Sequence, residues 1–149
     1  MTPEMIASMG KVGGAAVLGL AAMGSALGAG AAALGAIGAW KKCYAQNKMA
    51  PFMLVAFIGA PLSQTIYGFI VLLQIVAAAG KGTPWPALLG AGIFGGIAMG
   101  FSAWLQGKAG AAASDSLAET GQGSANYFIA LGVIETVALF TLAFIMATL

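Results

Sequence analysis

The sequence predicts an all-α membrane protein: four transmembrane helices formed by a duplicated two-helix hairpin. Three observations carry this expectation. Of 149 residues, 60% are apolar and only 7% charged, where a soluble domain would carry roughly a quarter charged residues. Uncharged runs cover Val12–Trp40, Met49–Gly80 and Gly82–Gly107, and a fourth, Thr120–Leu149, is broken only by Glu135; each exceeds the roughly 20 residues a helix needs to cross a bilayer. Finally, the chain repeats itself. An offset of about 72 residues pairs Gly24, Gly28, Gly35 and Gly38 with Gly96, Gly100, Gly107 and Gly110, and one of about 71 pairs Gln64-Thr65 with Glu135-Thr136. The single membrane domain 1–149 thus divides into a first hairpin, 1–78, and a second, 79–149, with helices one and three as counterparts and helices two and four likewise.

The first span follows Glu4 and a lone Lys11. It is longer than the roughly 7–15-residue apolar core of a signal peptide, so it reads as a retained helix. The joint 41–48 carries Lys41, Lys42 and Lys48, the joint 80–86 carries Lys81, and Lys108 precedes the joint at 113–124. The lysine bias sets joints 41–48 and 113–124 in the cytoplasm and both termini outside. Several chemistries are excluded. A single cysteine, Cys43, allows no intrachain disulfide, and the absence of histidine removes any Cys/His metal cluster. A net charge of +2 gives nucleic-acid binding no support. The glycines lie inside helices rather than in a phosphate-binding loop, so no nucleotide site is expected.

At 100° per residue, positions 24, 28, 31, 35 and 38 fall in a stripe about 80° wide, and positions 96, 100, 103, 107 and 110 repeat it. Small residues let helices approach closely in lipid. An isolated pair such as Gly24 and Gly28 reads as generic helix dimerisation, but a stripe duplicated on two helices of one chain suits a tightly curved inner wall. Many copies would then close a ring, with helices one and three inside. Helices two and four, rich in Leu, Ile, Phe and Val, would face lipid.

Glu135 is an ionisable group at mid-membrane, where such a group costs at least ~2.5–3.5 kcal/mol and usually marks an ion or proton pathway. The bland alternative is a neutral acid that only joins helices. In helix two, Ala60, Ser63, Gln64 and Tyr67 are spaced i, i+3, i+4, i+7 and share a face. Pro61 lacks an N–H and frees a carbonyl near that face. Taken singly, Pro61 is a plain kink and Ser63 a hydroxyl bonded to its own helix. Gln106 reaches the depth of Gln64 and Glu135 if helix three continues to about Leu117; otherwise it is a polar end residue. Ser63, Gln64, Gln106 and Glu135 offer hard oxygen ligands, with Tyr67 as a donor to the carboxylate. Such a shell suits a hard cation and argues for Na+, whereas H+ needs little more than the carboxylate and an apolar screen.

These residues resemble the proteolipid rotor subunit of V-type ATPases, which bears the letter K in bacteria and c in eukaryotes, and the bacterial sodium-pumping branch looks closest. The resemblance covers essentially the full chain. It is carried by Pro61-Leu62-Ser63-Gln64-Thr65-Ile66-Tyr67-Gly68, by Gln106-Gly107-Lys108 and by Ile134-Glu135-Thr136. It implies that Glu135 is the ion-binding carboxylate of a Na+ site, that Ser63, Gln64 and Gln106 supply side-chain oxygens and Ala60 its backbone carbonyl, and that Tyr67 donates to Glu135. The family often has threonine at Ser63 and a larger apolar residue at Ala60, and neither change removes a ligand. The subunit itself would be non-catalytic. Its implied partners are identical subunits in a ring, membrane lipid, a stator subunit supplying the arginine that this chain lacks, and a central stalk at the cytoplasmic joints. The implied location is the bacterial cell membrane. H+ as the transported ion remains the alternative within the same machine. A small four-helix proton-coupled exporter is the alternative of another class, but it would place its acid in the first helix, which here has none.

Overall fold

Backbone in hydrocarbon has no water to bond, so a chain this apolar must pair its N–H and C=O groups within each segment, as a helix does. The computed structural model describes residues 2–149. Its elements are α1 (Pro3–Ala45), α2 (Leu54–Gly59), a 3-10 turn (Ala60–Leu62), α3 (Ser63–Gly80), α4 (Trp85–Thr120) and α5 (Ser124–Thr148). The segment α2–turn–α3 forms one span, and with α1, α4 and α5 it gives four helices long and apolar enough to cross a membrane. There is no strand among the described residues.

The helix ends differ from expectation in an instructive way. The joint 41–48 is mostly helix: Lys41 and Lys42 lie in the final turns of α1, which ends at Ala45. Nothing in Trp40-Lys41-Lys42-Cys43-Tyr44 breaks a helix, and cations are favoured near a helix C-terminus by its dipole. The chain turns only beyond Gln46, where Asn47 takes φ 52. The Trp40 indole N–H then holds the returning loop by donating to the Pro51 carbonyl at 2.8 Å. Likewise α4 runs past Leu117 to Thr120, so the joint expected at 113–124 shrinks to 121–123. Gly121 ends the helix at φ 68, its N–H donating to the Leu117 carbonyl at 2.9 Å; glycine, with no Cβ, adopts this left-handed geometry most readily.

These extensions make two helices much longer than the bilayer core. With 43 residues, α1 spans about 65 Å, and with 36 residues α4 spans about 54 Å, against roughly 30 Å of hydrocarbon. Their shared projecting end is tied by Lys42, which pairs with Glu119 and lies 3.9 Å from Asp115.

The parallel pair α1 and α4 forms the most extensive contact in the molecule. A Cβ on Gly24 would overlap the backbone of Gly100, one on Gly107 the backbone of Gly28, and one on Gly35 would lie 2.6 Å from Ala111 Cα. Gly96 faces Val17 Cα at 2.9 Å, while Gly110 faces Phe57 O at 3.0 Å and Ala32 Cβ at 3.3 Å. The glycine stripes are therefore a backbone-on-backbone seam within one chain. Gly38 is the exception: it is exposed, and a Cβ there would meet nothing within 4 Å. The second span packs on α1, and α5 leans on α4 and α3. Ile129, Val133, Val137, Phe140 and Phe144 of α5 remain exposed.

The seam makes a sharp prediction. Gly107→Ala is expected to destabilise the protein by about 1–3 kcal/mol through overpacking, read as a lower midpoint of thermal unfolding in detergent. The same change at Gly80, where a Cβ would meet nothing within 4 Å, is expected to stay within about 0.5 kcal/mol.

Candidate functional site

The site begins with a break in the second span. Pro61 has no N–H to donate, so the helix tightens into the 3-10 turn Ala60–Leu62 before α3 starts at Ser63. On the first turn of α3, the Ser63 hydroxyl lies 3.1 Å from both the Ala60 carbonyl and Gln64 Oε1. Gln64 follows on the buried face, and Tyr67 sits one turn later.

From Gln64 a chain of hydrogen bonds crosses three helices. Gln64 Nε2 donates to Gln106 Oε1 at 2.9 Å, and Gln106 Nε2 donates to Glu135 Oε2 at 3.1 Å. The other carboxylate oxygen, Oε1, accepts from the Tyr67 hydroxyl at 2.6 Å. The path leaves the second span through Gln64, passes α4 and α5, and returns through Tyr67. Gln64 and Gln106 are fully buried, while Glu135 is only partly buried. The ion pairs of Lys42 lie far off at the projecting helix ends, and among the described residues none involves Glu135.

All six residues singled out from the sequence therefore meet: Ala60, Ser63, Gln64 and Tyr67 from the second span, Gln106 from α4 and Glu135 from α5. Gln106 is not an end residue, because α4 continues for several turns beyond it. Two further groups escape a reading of the sequence. The Ser102 hydroxyl donates to the Ile134 carbonyl at 2.9 Å, and Gln106 Nε2 also donates to the Leu131 carbonyl at 3.1 Å. Ser102 stands one turn before Gln106 on the same face, but a small hydroxyl there reads equally as a packing residue. The Leu131 carbonyl gives no signal, since every residue carries one.

Apolar packing closes the site on both sides along the helix axes. Phe57, Leu54 and Leu131 belong to one cluster, with Tyr127 packed against it, and Tyr127 is joined to Ser116 of α4 by a hydrogen bond. Val71, Ile75 and Ala138 belong to another cluster on the far side of Tyr67. Among the described residues, no group of three or more His, Cys, Asp or Glu side chains could hold a metal ion. The donor set is one carboxylate with neutral oxygens.

The family model for the C subunit of ATP synthase matches residues 89–147, the segment that holds both Gln106 and Glu135. The chain belongs to this ATP synthase proteolipid family. It is 36% identical over 111 residues to the A-type ATP synthase subunit K of Methanocaldococcus jannaschii, an overlap that covers 74% of this chain and 48% of that relative. The chain thus spans about half the length of the curated relative it matches. No solved structure matches it. Four helices capable of spanning and membership of this family make it an integral membrane protein.

In this proteolipid, Gln106 links Gln64 to Glu135 directly, accepting from the first through Oε1 and donating to the second through Nε2. Gln106→Leu keeps the volume but leaves Gln64 Nε2 without its acceptor and removes donors to Glu135 and Leu131. The expected loss is about 1–3 kcal/mol for the buried group left unpaired, measured as a lower midpoint of thermal unfolding in detergent.

Proposed function

We propose that the chain is the membrane rotor subunit of a rotary V/A-type ATPase and carries Na+ across the membrane by reversible binding at Glu135. The observation that carries this reading is the meeting of one carboxylate with the oxygens of Gln64, Gln106, Ser63 and Ala60 inside an apolar span. A single carboxylate balances a single monovalent charge, so the loaded site is neutral. Neutral amide, hydroxyl and carbonyl oxygens replace the hydration shell of a hard cation. Gln106 and Tyr67 hold the carboxylate in place from α4 and α3.

The mechanism follows from electrostatics. With Na+ bound, Glu135 carries no net charge into lipid, and its segment of the ring rotates past hydrocarbon. Unloaded, the bare carboxylate is too costly to expose there. Exchange therefore occurs at a polar stator subunit, whose arginine displaces the ion. Identical copies close the ring, with α1 and α4 as the inner wall and α3 and α5 outside, where α5 already presents bulky apolar side chains. The hairpin 1–78 carries Gln64 at the position that Glu135 occupies in 79–149. Each four-helix subunit then moves one ion, a low ion count per turn that suits pumping. The lysine bias turns the projecting ends of α1 and α4 towards the cytoplasm of a bacterial cell, where a central stalk docks and delivers torque from ATP hydrolysis in partner subunits.

Labelling with a hydrophobic carbodiimide tests the ion. Glu135 is the expected site of modification, Na+ is expected to slow the reaction at fixed pH, and Glu135→Gln is expected to abolish it. Equal rates with and without Na+ would replace sodium by H+ as the transported ion. Counting subunits in the isolated assembly tests the ring, which a monomer or dimer would rule out.

A further inference from the structure

Among the described residues, Ser25 Oγ is the one buried side-chain nitrogen or oxygen without a hydrogen-bond partner, and the residue is 2% exposed. A hydroxyl inside a helix commonly donates to a carbonyl one turn back. Ser114 and Thr141 do so here, with Gly110 and Val137; Ser25 does not. A solitary buried hydroxyl is uncommon and calls for a physical reason.

Its position supplies one. Ala21, Ser25, Gly28 and Ala32 form a single stripe along α1, spaced at helical intervals. Phe57, Pro61, Gln64 and Gly68 form the matching buried stripe along the second span. The two stripes face each other and run antiparallel: a Cβ on Gly68 would lie 2.8 Å from Ala21 Cβ, and one on Gly28 would lie 2.9 Å from Pro61 Cβ. Between these two contacts the register sets Ser25 opposite Gln64. The unpartnered hydroxyl therefore stands at the level of the site, on the one helix that contributes nothing to the hydrogen-bond chain described above.

The Gln64 carboxamide needs such a neighbour. In the structure its Nε2 donates to Gln106 Oε1 at 2.9 Å, directing an N–H at an oxygen that a cation must reach. Where the cation takes the place of that N–H on Gln106 Oε1, the bond opens and the released N–H, buried with Gln64, needs another acceptor. We propose that Ser25 is a positioning residue of the ion site: its Oγ accepts the Gln64 Nε2–H when the cation binds, so that Gln64 and Gln106 both turn oxygen to the ion. The inference rests on the sodium-site reading of Gln64, Gln106 and Glu135.

The test uses membranes carrying the full chain and measures the Na+ concentration that halves carbodiimide labelling of Glu135. Ser25→Ala removes the acceptor and is expected to raise that concentration on the order of tenfold, the equilibrium effect of leaving a buried donor unpaired. Ser25→Cys keeps the side chain's size but offers only a weak acceptor, so it is expected to raise the concentration as well. An unchanged value in Ser25→Ala, or a wild-type value restored by Ser25→Cys, would show that Ser25 only fills space and would overturn the proposal. Absence of Na+ protection in the wild-type chain is a different result: it removes the sodium site itself, and this inference with it.

Discussion

A carboxylate in hydrocarbon is the constraint around which the molecule is organised. Glu135 lies about halfway along α5 (Ser124–Thr148); a carboxylate at the centre of a bilayer costs at least ~2.5–3.5 kcal/mol on insertion scales, and α5 has nothing of its own to offset it. The donors come from elsewhere, Tyr67 from α3 and Gln106 from α4. Three helices must therefore arrive at one level with the correct faces inward, and they must do so where water exclusion supplies no force between them.

Close packing meets that demand, and the link between packing and chemistry runs through adjacent residues. Gly107 lies against the backbone of Gly28 in α1, while its neighbour Gln106 points away from that seam towards Gln64 and Glu135. Seating the glycine on α1 fixes the rotation of α4 about its axis, and that rotation aims the glutamine. Similarly, Gly28 admits Pro61 from the second span, bringing the 3-10 turn and the Ala60 carbonyl against the inner helices. The stripe and the site are two faces of the same helices.

The site is legible in the sequence because polar residues stand out in a hydrophobic chain. Glu135, Gln64 and Gln106 lie in uncharged runs, and the helical period alone gathers Ser63, Gln64 and Tyr67 on one face. Ser102 stays hidden because a serine between alanine and phenylalanine looks like a packing residue until its partner on α5 is known. The helix ends are harder to read. Lys41 and Lys42 suggest a loop, yet charge alone does not break a helix; Asn47 and Gly121 end these helices because their backbones take positive φ. Gly38 belongs to the stripe by angle, but it lies at the stripe's edge, and within the chain α4 does not reach it.

The seam between α1 and α4 has a further consequence for how this sequence is free to vary. Most buried positions accept several side chains, because a neighbour's loss of volume offsets another's gain. At Gly24, Gly28 and Gly107 the opposing surface is main chain, which has no volume to give up. Variation there is one-sided: every exchange adds atoms, and no exchange on the partner helix removes any. These positions are closed to gradual drift, while the exposed face of α5 is free to exchange one apolar side chain for another.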